Sequence, residues 1–189
     1  DLLRGVYNRM CAEYNDGREL SVDIIVDADV PPGSGLGTSS AMVVALVQAF
    51  SELLRAGLRP YDVARLAFEI ERVDLQLNGG KQDQYAAAFG GLNFIEFGPG
   101  SNVLVNPLRM SQETSAEFEA SLVLFFSGVS RESARIIDEQ SHNIASGQAK
   151  SLEAMHVAGS VGLRNQTMTP QRLLGRLAAR CRAPAAEDL

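Results

Sequence analysis

The sequence predicts a mixed α and β fold, and three stretches carry that prediction. Behind Pro60, Val63, Leu66, Ala67, Ile70, Val73 and Leu77 recur at helical spacing. Leu20, Val22, Ile24 and Val26 fall on one face of an alternating segment interrupted by Ser21, Asp23 and Asp27, the period of a half-buried strand. Residues 120–128, ASLVLFFSG, form a continuous apolar run of the kind found in buried strands. Pattern alone assigns these elements no layout.

Each element has its own local reason. Leu2, Leu3, Val6, Met10 and Cys11 predict an amphipathic helix over residues 1–14. The strand at 20–26 ends before Pro31, which cannot donate to a ladder. A helix follows from Ser39 to about Ala56, closed by Gly57. The helix of 61–77 opens at Pro60. LNGGKQDQYAAAFGG reads as a glycine-bounded loop and short helix, LNFIEF (92–97) as a strand, and PGSN as a turn into VLVNPL. Residues 130–141 form a further helix with Ser130 as N-cap. Beyond about residue 157 the periodicity fades, and the scattered arginines there read as a solvated face.

Composition removes several function classes. A hydrophobic content of 46% is ample for a core, so disorder across the chain is not expected. The net charge of −6 argues against a nucleic-acid partner, which needs a basic face. It leaves small anionic substrates open, since those respond to local groups. Cys11 and Cys181 are isolated, without disulfide or metal spacing, which favours the cytoplasm. No apolar run is long enough to span a membrane. His142 and His156 stand apart, so a histidine metal site is not expected.

The chemistry is concentrated in VPPGSGLGTSSAMVVALVQAF, residues 30–50. A strand runs into a glycine-rich turn (Gly33, Gly35, Gly37), and the turn runs into a helix that starts with Thr38, Ser39 and Ser40. The first N–H groups of a helix lack partners within it and carry partial positive charge. Glycines let a phosphate approach without meeting a Cβ. The motif therefore reads as an anion-binding loop, with a tight strand-to-helix connection capped by hydroxyls as the alternative. It is not a Walker A loop, having no Lys after the glycines, nor a Rossmann fingerprint, whose third glycine comes one position later. Two acidic residues stand out downstream. Glu71 lies one position off the helix stripe, at the edge of the buried face, where pairing with Arg72 or Lys81 is the plainer alternative. Asp83 opens the helix DQYAAAF, where an N-cap role is the plainer alternative.

PPGSGLGTSSA resembles the central motif of the GHMP kinases, the superfamily of galactokinase, homoserine kinase and mevalonate kinase. The resemblance implies that Pro32, Gly33, Ser34, Gly35, Leu36, Gly37, Thr38, Ser39 and Ser40 wrap the phosphates of ATP, with Ser39 a Mg²⁺ ligand. It also implies that Glu71 is a second Mg²⁺ ligand and that Asp83, in the Asp83–Gln84 pair, is the catalytic residue facing the acceptor hydroxyl. Gly80, Lys81 and Gln82 join Asp83 as substrate-side candidates; for Lys81, an exposed lysine is an equal alternative. GGKQDQYAAAFGG, LNFIEF and LVLFFSGVSRESARII together resemble the bacterial D-glycero-D-manno-heptose 7-phosphate kinases over most of residues 1–150. The implied activity is ATP-dependent phosphorylation of a sugar, at the anomeric hydroxyl of the heptose 7-phosphate, on the route to nucleotide-activated heptose for surface polysaccharide. The alternatives are a fucose, galactose or mevalonate kinase, a non-catalytic sugar- or ATP-binding relative, and, disfavoured by the Asp-Gln loop, a decarboxylating lyase.

The implied fold is α+β in two domains, with residues 1–118 in the nucleotide domain and 119–189 beginning the second. The family's N-terminal sugar-contacting motif and its C-terminal glycine loop are not found, and the family pattern ends near residue 158. Truncation or a frame change is the expectation, and these 189 residues alone are expected to be inactive. The implied partners are a sugar phosphate and ATP; a homodimer is left open.

Overall fold

The computed structural model describes residues 1–30, 34–123 and 142–143. They fall into two units, Asp1–Pro107 and a second that begins at Leu108. In the first unit, helices α1 (Leu2–Tyr14), α2 (Thr38–Leu54) and α3 (Pro60–Glu69) surround one apolar cluster. Val6 and Met10 from α1 meet Val43, Val47 and Phe50 from α2 and Val63, Leu66 and Ala67 from α3. Each set recurs three or four residues apart, so each helix turns one stripe inward. A shorter helix, α4 (Gln82–Phe89), packs on α2 and α3.

Strands β1 (Asn93–Phe97) and β2 (Val103–Pro107) form an antiparallel pair with Ile95 opposite Val105. The turn between them closes through Gly98 N–H to Asn102 O, 2.9 Å. Val105 is buried with Ala64 and Tyr85, and its N–H donates to Tyr61 Oη at 2.9 Å, which ties the pair to α3. The second unit contributes α5 (Gln112–Ala120), where Ser111 Oγ accepts from Thr114 N–H. Sequence analysis assigns nothing there, although a serine before Gln-Glu-Thr is a start signal.

Three expectations need correction. Residues 20–26 have no strand partner among the described residues and form no strand. Alternation supplies a face but not a ladder, and the Tyr7 hydroxyl instead serves both the N–H and the carbonyl of Leu20. Helix α2 stops at Leu54 rather than Ala56, because Arg55 already adopts a left-handed φ of 54°. The third departure lies in the helix of 61–77. It is α-helical only to Glu69, then passes through a π-helical turn, Ile70–Asp74, in which Leu75 N–H bonds to Ile70 O at 3.0 Å. The extra residue rotates everything after it, so Val73 and Leu77, expected in the core stripe, are exposed. The expected strand across 120–127 and the helix at 130–141 lie largely or wholly outside the described residues.

Candidate functional site

The N-terminus of α2 is built as an anion site requires. Its N-cap is Gly37, in the left-handed region at φ 71°. The first helical hydrogen bond runs from Ala41 N–H to Gly37 O, which leaves the N–H groups of Thr38, Ser39 and Ser40 outside the ladder. Gly35 is also left-handed, at φ 79°, with open space where a Cβ would stand. Ser34 Oγ is buried without a hydrogen-bond partner. An open cradle, unladdered amides and an orphaned hydroxyl together fit phosphate oxygens. Leu36 is exposed, while Pro32 and Gly33 lie outside the described residues.

Glu71, expected at the edge of the core face, is 1% exposed. Ala64 and Ala67, seven and four residues before it, are buried too, so Glu71 continues that helical row toward α2. Its Oε1 accepts from Ser39 Oγ at 3.4 Å, and its Oε2 accepts from the Gln84 side-chain amide. The same amide donates to Ser40 Oγ at 3.2 Å. Neither Arg72 nor Lys81 takes the pairing that sequence left open. Gln84, fully buried, is the residue that sequence analysis left out of the site. Its signal was present in the Asp83–Gln84 pair, but nothing local marks a glutamine as buried.

Asp83 is the second residue of α4, whose N-cap is Lys81, so the N-cap reading of Asp83 fails. A Cβ on Gly37 would stand 3.3 Å from Asp83 Cγ and 3.5 Å from its Oδ1. The carboxylate therefore lies against the glycine loop at the start of α2. The approach loop is held by Arg72, which donates to the carbonyls of Leu77, Asn78 and Gly80. Its guanidinium lies against Gly79, where any side chain would collide with it. Gln82 is the exposed first residue of α4, its side chain beside Gly80. Lys81 Nζ donates to Gly100 O at 2.7 Å and lies over the Phe68 ring, so its ammonium is engaged by the β1–β2 turn and α3.

Among the described residues no three His, Cys, Asp or Glu side chains converge as a metal cage. Ser39 Oγ and Glu71 Oε1 are nonetheless two oxygen donors within reach of one small cation. Magnesium is commonly held by one or two protein oxygens plus substrate phosphates, so this donor set fits it. Among the described residues no helix is long and apolar enough to cross a membrane.

Residues 1–91 match the model of the GHMP kinases N-terminal domain. Over 156 residues the chain is 46% identical to the D-glycero-alpha-D-manno-heptose 7-phosphate kinase of Campylobacter jejuni, covering 82% of this chain and 45% of that one. A crystal structure of a D-glycero-D-manno-heptose 1-phosphate kinase from Bacteroides thetaiotaomicron superposes with a TM-score of 0.59 at 43% identity, covering 79% of this chain and 49% of that one. A Campylobacter jejuni structure assigned as a sugar kinase gives 0.63 at 36% identity, covering 89% and 52%. The chain thus spans about half the length of these relatives. In both structures the likeness extends to helices with a small antiparallel sheet, the α+β class expected from sequence.

Proposed function

We propose that this protein, whose residues 1–91 match the GHMP kinases N-terminal domain, is an ATP-dependent sugar kinase. Its proposed acceptor is a heptose phosphate, with the anomeric hydroxyl of D-glycero-D-manno-heptose 7-phosphate as the reacting group. The observation that carries the reading is the convergence of Ser39, Glu71 and Asp83 on the N-terminus of α2. The acceptor rests on the 46% identity to the Campylobacter enzyme.

Phosphoryl transfer asks the protein mainly for positioning and charge stabilisation. The N–H groups of Thr38, Ser39 and Ser40 bind phosphate oxygens along the α2 axis. Ser39 and Glu71 would hold Mg²⁺, which when bound neutralises charge on the phosphates. Gln84 holds the Glu71 carboxylate through its amide and leaves Oε1 facing Ser39. Asp83 accepts a hydrogen bond from the sugar hydroxyl and takes its proton as the hydroxyl oxygen bonds to the γ-phosphorus and the bond to the β-phosphate oxygen breaks. The isolated Cys11 and Cys181 support the assignment of the protein to the cytoplasm.

The test is ADP release by the full-length protein with heptose 7-phosphate, against fucose, galactose and mevalonate. Heptose-dependent release is expected. Faster release with another acceptor moves the substrate within the family, and none with any acceptor, despite ATP binding, favours a non-catalytic relative. Light scattering on the same sample tests the homodimer that sequence left open.

A further inference from the structure

We propose that Arg9 is a positioning residue for Glu71: by gripping Glu69 and Asp74 at once, it braces the segment that carries Glu71 on both sides and holds that carboxylate against Ser39. Arg9 lies on α1, remote in sequence from the phosphate loop. Its Nη2 donates to Glu69 Oε2 at 3.0 Å, and its Nη1 donates to both Asp74 carboxylate oxygens at 2.9 Å. These two acids flank the turn, one immediately before it and one at its last position. In an α-helix, residues five apart point about 140° away from each other. In a turn that closes from i to i+5 they come to one side, where a single planar guanidinium reaches both. The grip therefore favours the π form over the α form.

A second contact on the same face of α1 points the same way. Gly5, one helical turn before Arg9, lies so close to Leu75 that a Cβ would stand 2.9 Å from its Cδ1. Leu75 is the residue whose N–H makes the i to i+5 bond. Helix α1 thus holds the end of the turn through one ion-pair fork and one close approach. Both outputs of the turn lead to the site: Glu71 into the Ser39–Gln84 network, and Arg72 to the loop carbonyls before Asp83.

The inference rests on the reading of Glu71 given above, and its test separates the two. Asp74→Asn and Arg9→Lys each weaken the double grip, while Glu13→Gln removes an Arg9 partner on α1 itself and leaves the turn alone. The metal-free readouts in the full-length protein are the Gln84 side-chain amide resonance and the Leu75 amide exchange rate. Asp74→Asn and Arg9→Lys are expected to move the Gln84 resonance and to speed Leu75 exchange by ~10-fold or more, with Glu13→Gln unchanged. The Mg²⁺ concentration for half-maximal ADP release is expected to rise ~10-fold in the first two variants only. Should Arg9→Lys fail to fold, Asp74→Asn carries the test. Wild-type values of both amides in Asp74→Asn overturn the proposal. Altered amides with an unchanged Mg²⁺ requirement keep the role of Arg9 in the turn but overturn its effect on the metal, and absent ADP release in the wild type retires the kinase reading alone.

Discussion

Replacing Glu71 with glutamine separates a structural carboxylate from a metal-binding one. The side chain is 1% exposed and accepts from Ser39 Oγ at 3.4 Å and from the Gln84 amide. Glutamine has nearly the same shape, and its oxygen can face Gln84 while its NH₂ faces the Ser39 hydroxyl, which can accept. Both contacts to Ser39 and Gln84 then persist, so only the charge assistance is lost, about 1 kcal/mol. Glu71→Ala would instead leave one Gln84 N–H without its acceptor and open a void, costing about 2–4 kcal/mol. For the metal the difference is larger. A unit charge ~4 Å from another contributes about 4 kcal/mol at an effective dielectric of ~20, and nucleotide phosphates compensate part of that loss. The Mg²⁺ half-saturation for ADP release should therefore rise ~10- to ~100-fold in Glu71→Gln, equivalent to ~1.4–2.8 kcal/mol. The assay is a magnesium titration at saturating ATP on the full-length protein, with melting temperature measured beside it. An unchanged titration in a folded Glu71→Gln protein would remove Glu71 from the metal site.

Asp83→Asn should lower turnover ~10²-fold or more while ATP binding, read by equilibrium titration, is retained. Because Asp83 lies in the first turn of α4 rather than at its cap, the stability cost is the lost charge–dipole term, about 0.3–1 kcal/mol. Gly37→Ala should cost about 1–2 kcal/mol from the left-handed backbone alone. It should also lower turnover, since the new methyl meets Asp83 Cγ at 3.3 Å; unaltered kinetics would show that the Asp83 position is not critical. Burial raises the Tyr85 phenol above its ordinary value near 10, so the fold favours the neutral form. That contribution is fully present below pH ~10 and is lost as pH rises through the raised folded value. Tyr85→Phe should therefore flatten part of the alkaline fall in melting temperature, and an identical pH profile would refute this.

Local chemistry carried much of the proposed site. The glycine spacing, the hydroxyls at the helix start and the Asp-Gln pair are covalent facts of the chain. Each points to phosphate binding or proton acceptance through properties a residue has in any fold: Gly37 adopts a left-handed φ readily, and the first amides of any helix lack partners. The apolar stripes of α1, α2 and the first part of α3 were legible for the same reason, since periodicity is a local record of which face is buried.

What sequence by itself determined about this protein is therefore helices α1 to α4 in outline, its β1–β2 hairpin, its glycine loop and the identity of the acids beside that loop. Tertiary structure alone decided how those acids are aimed. The π-helical turn at Ile70–Asp74 follows no local signal, because its flanking acids are gripped by Arg9 from α1, and it is this turn that exposes Val73. Gln84 became part of the site only when α4 packed on α2, and residues 20–26 formed no strand although they alternate. In each case the deciding interaction joins residues distant along the chain, and a local pattern cannot encode which distant group will supply the missing hydrogen bond or charge.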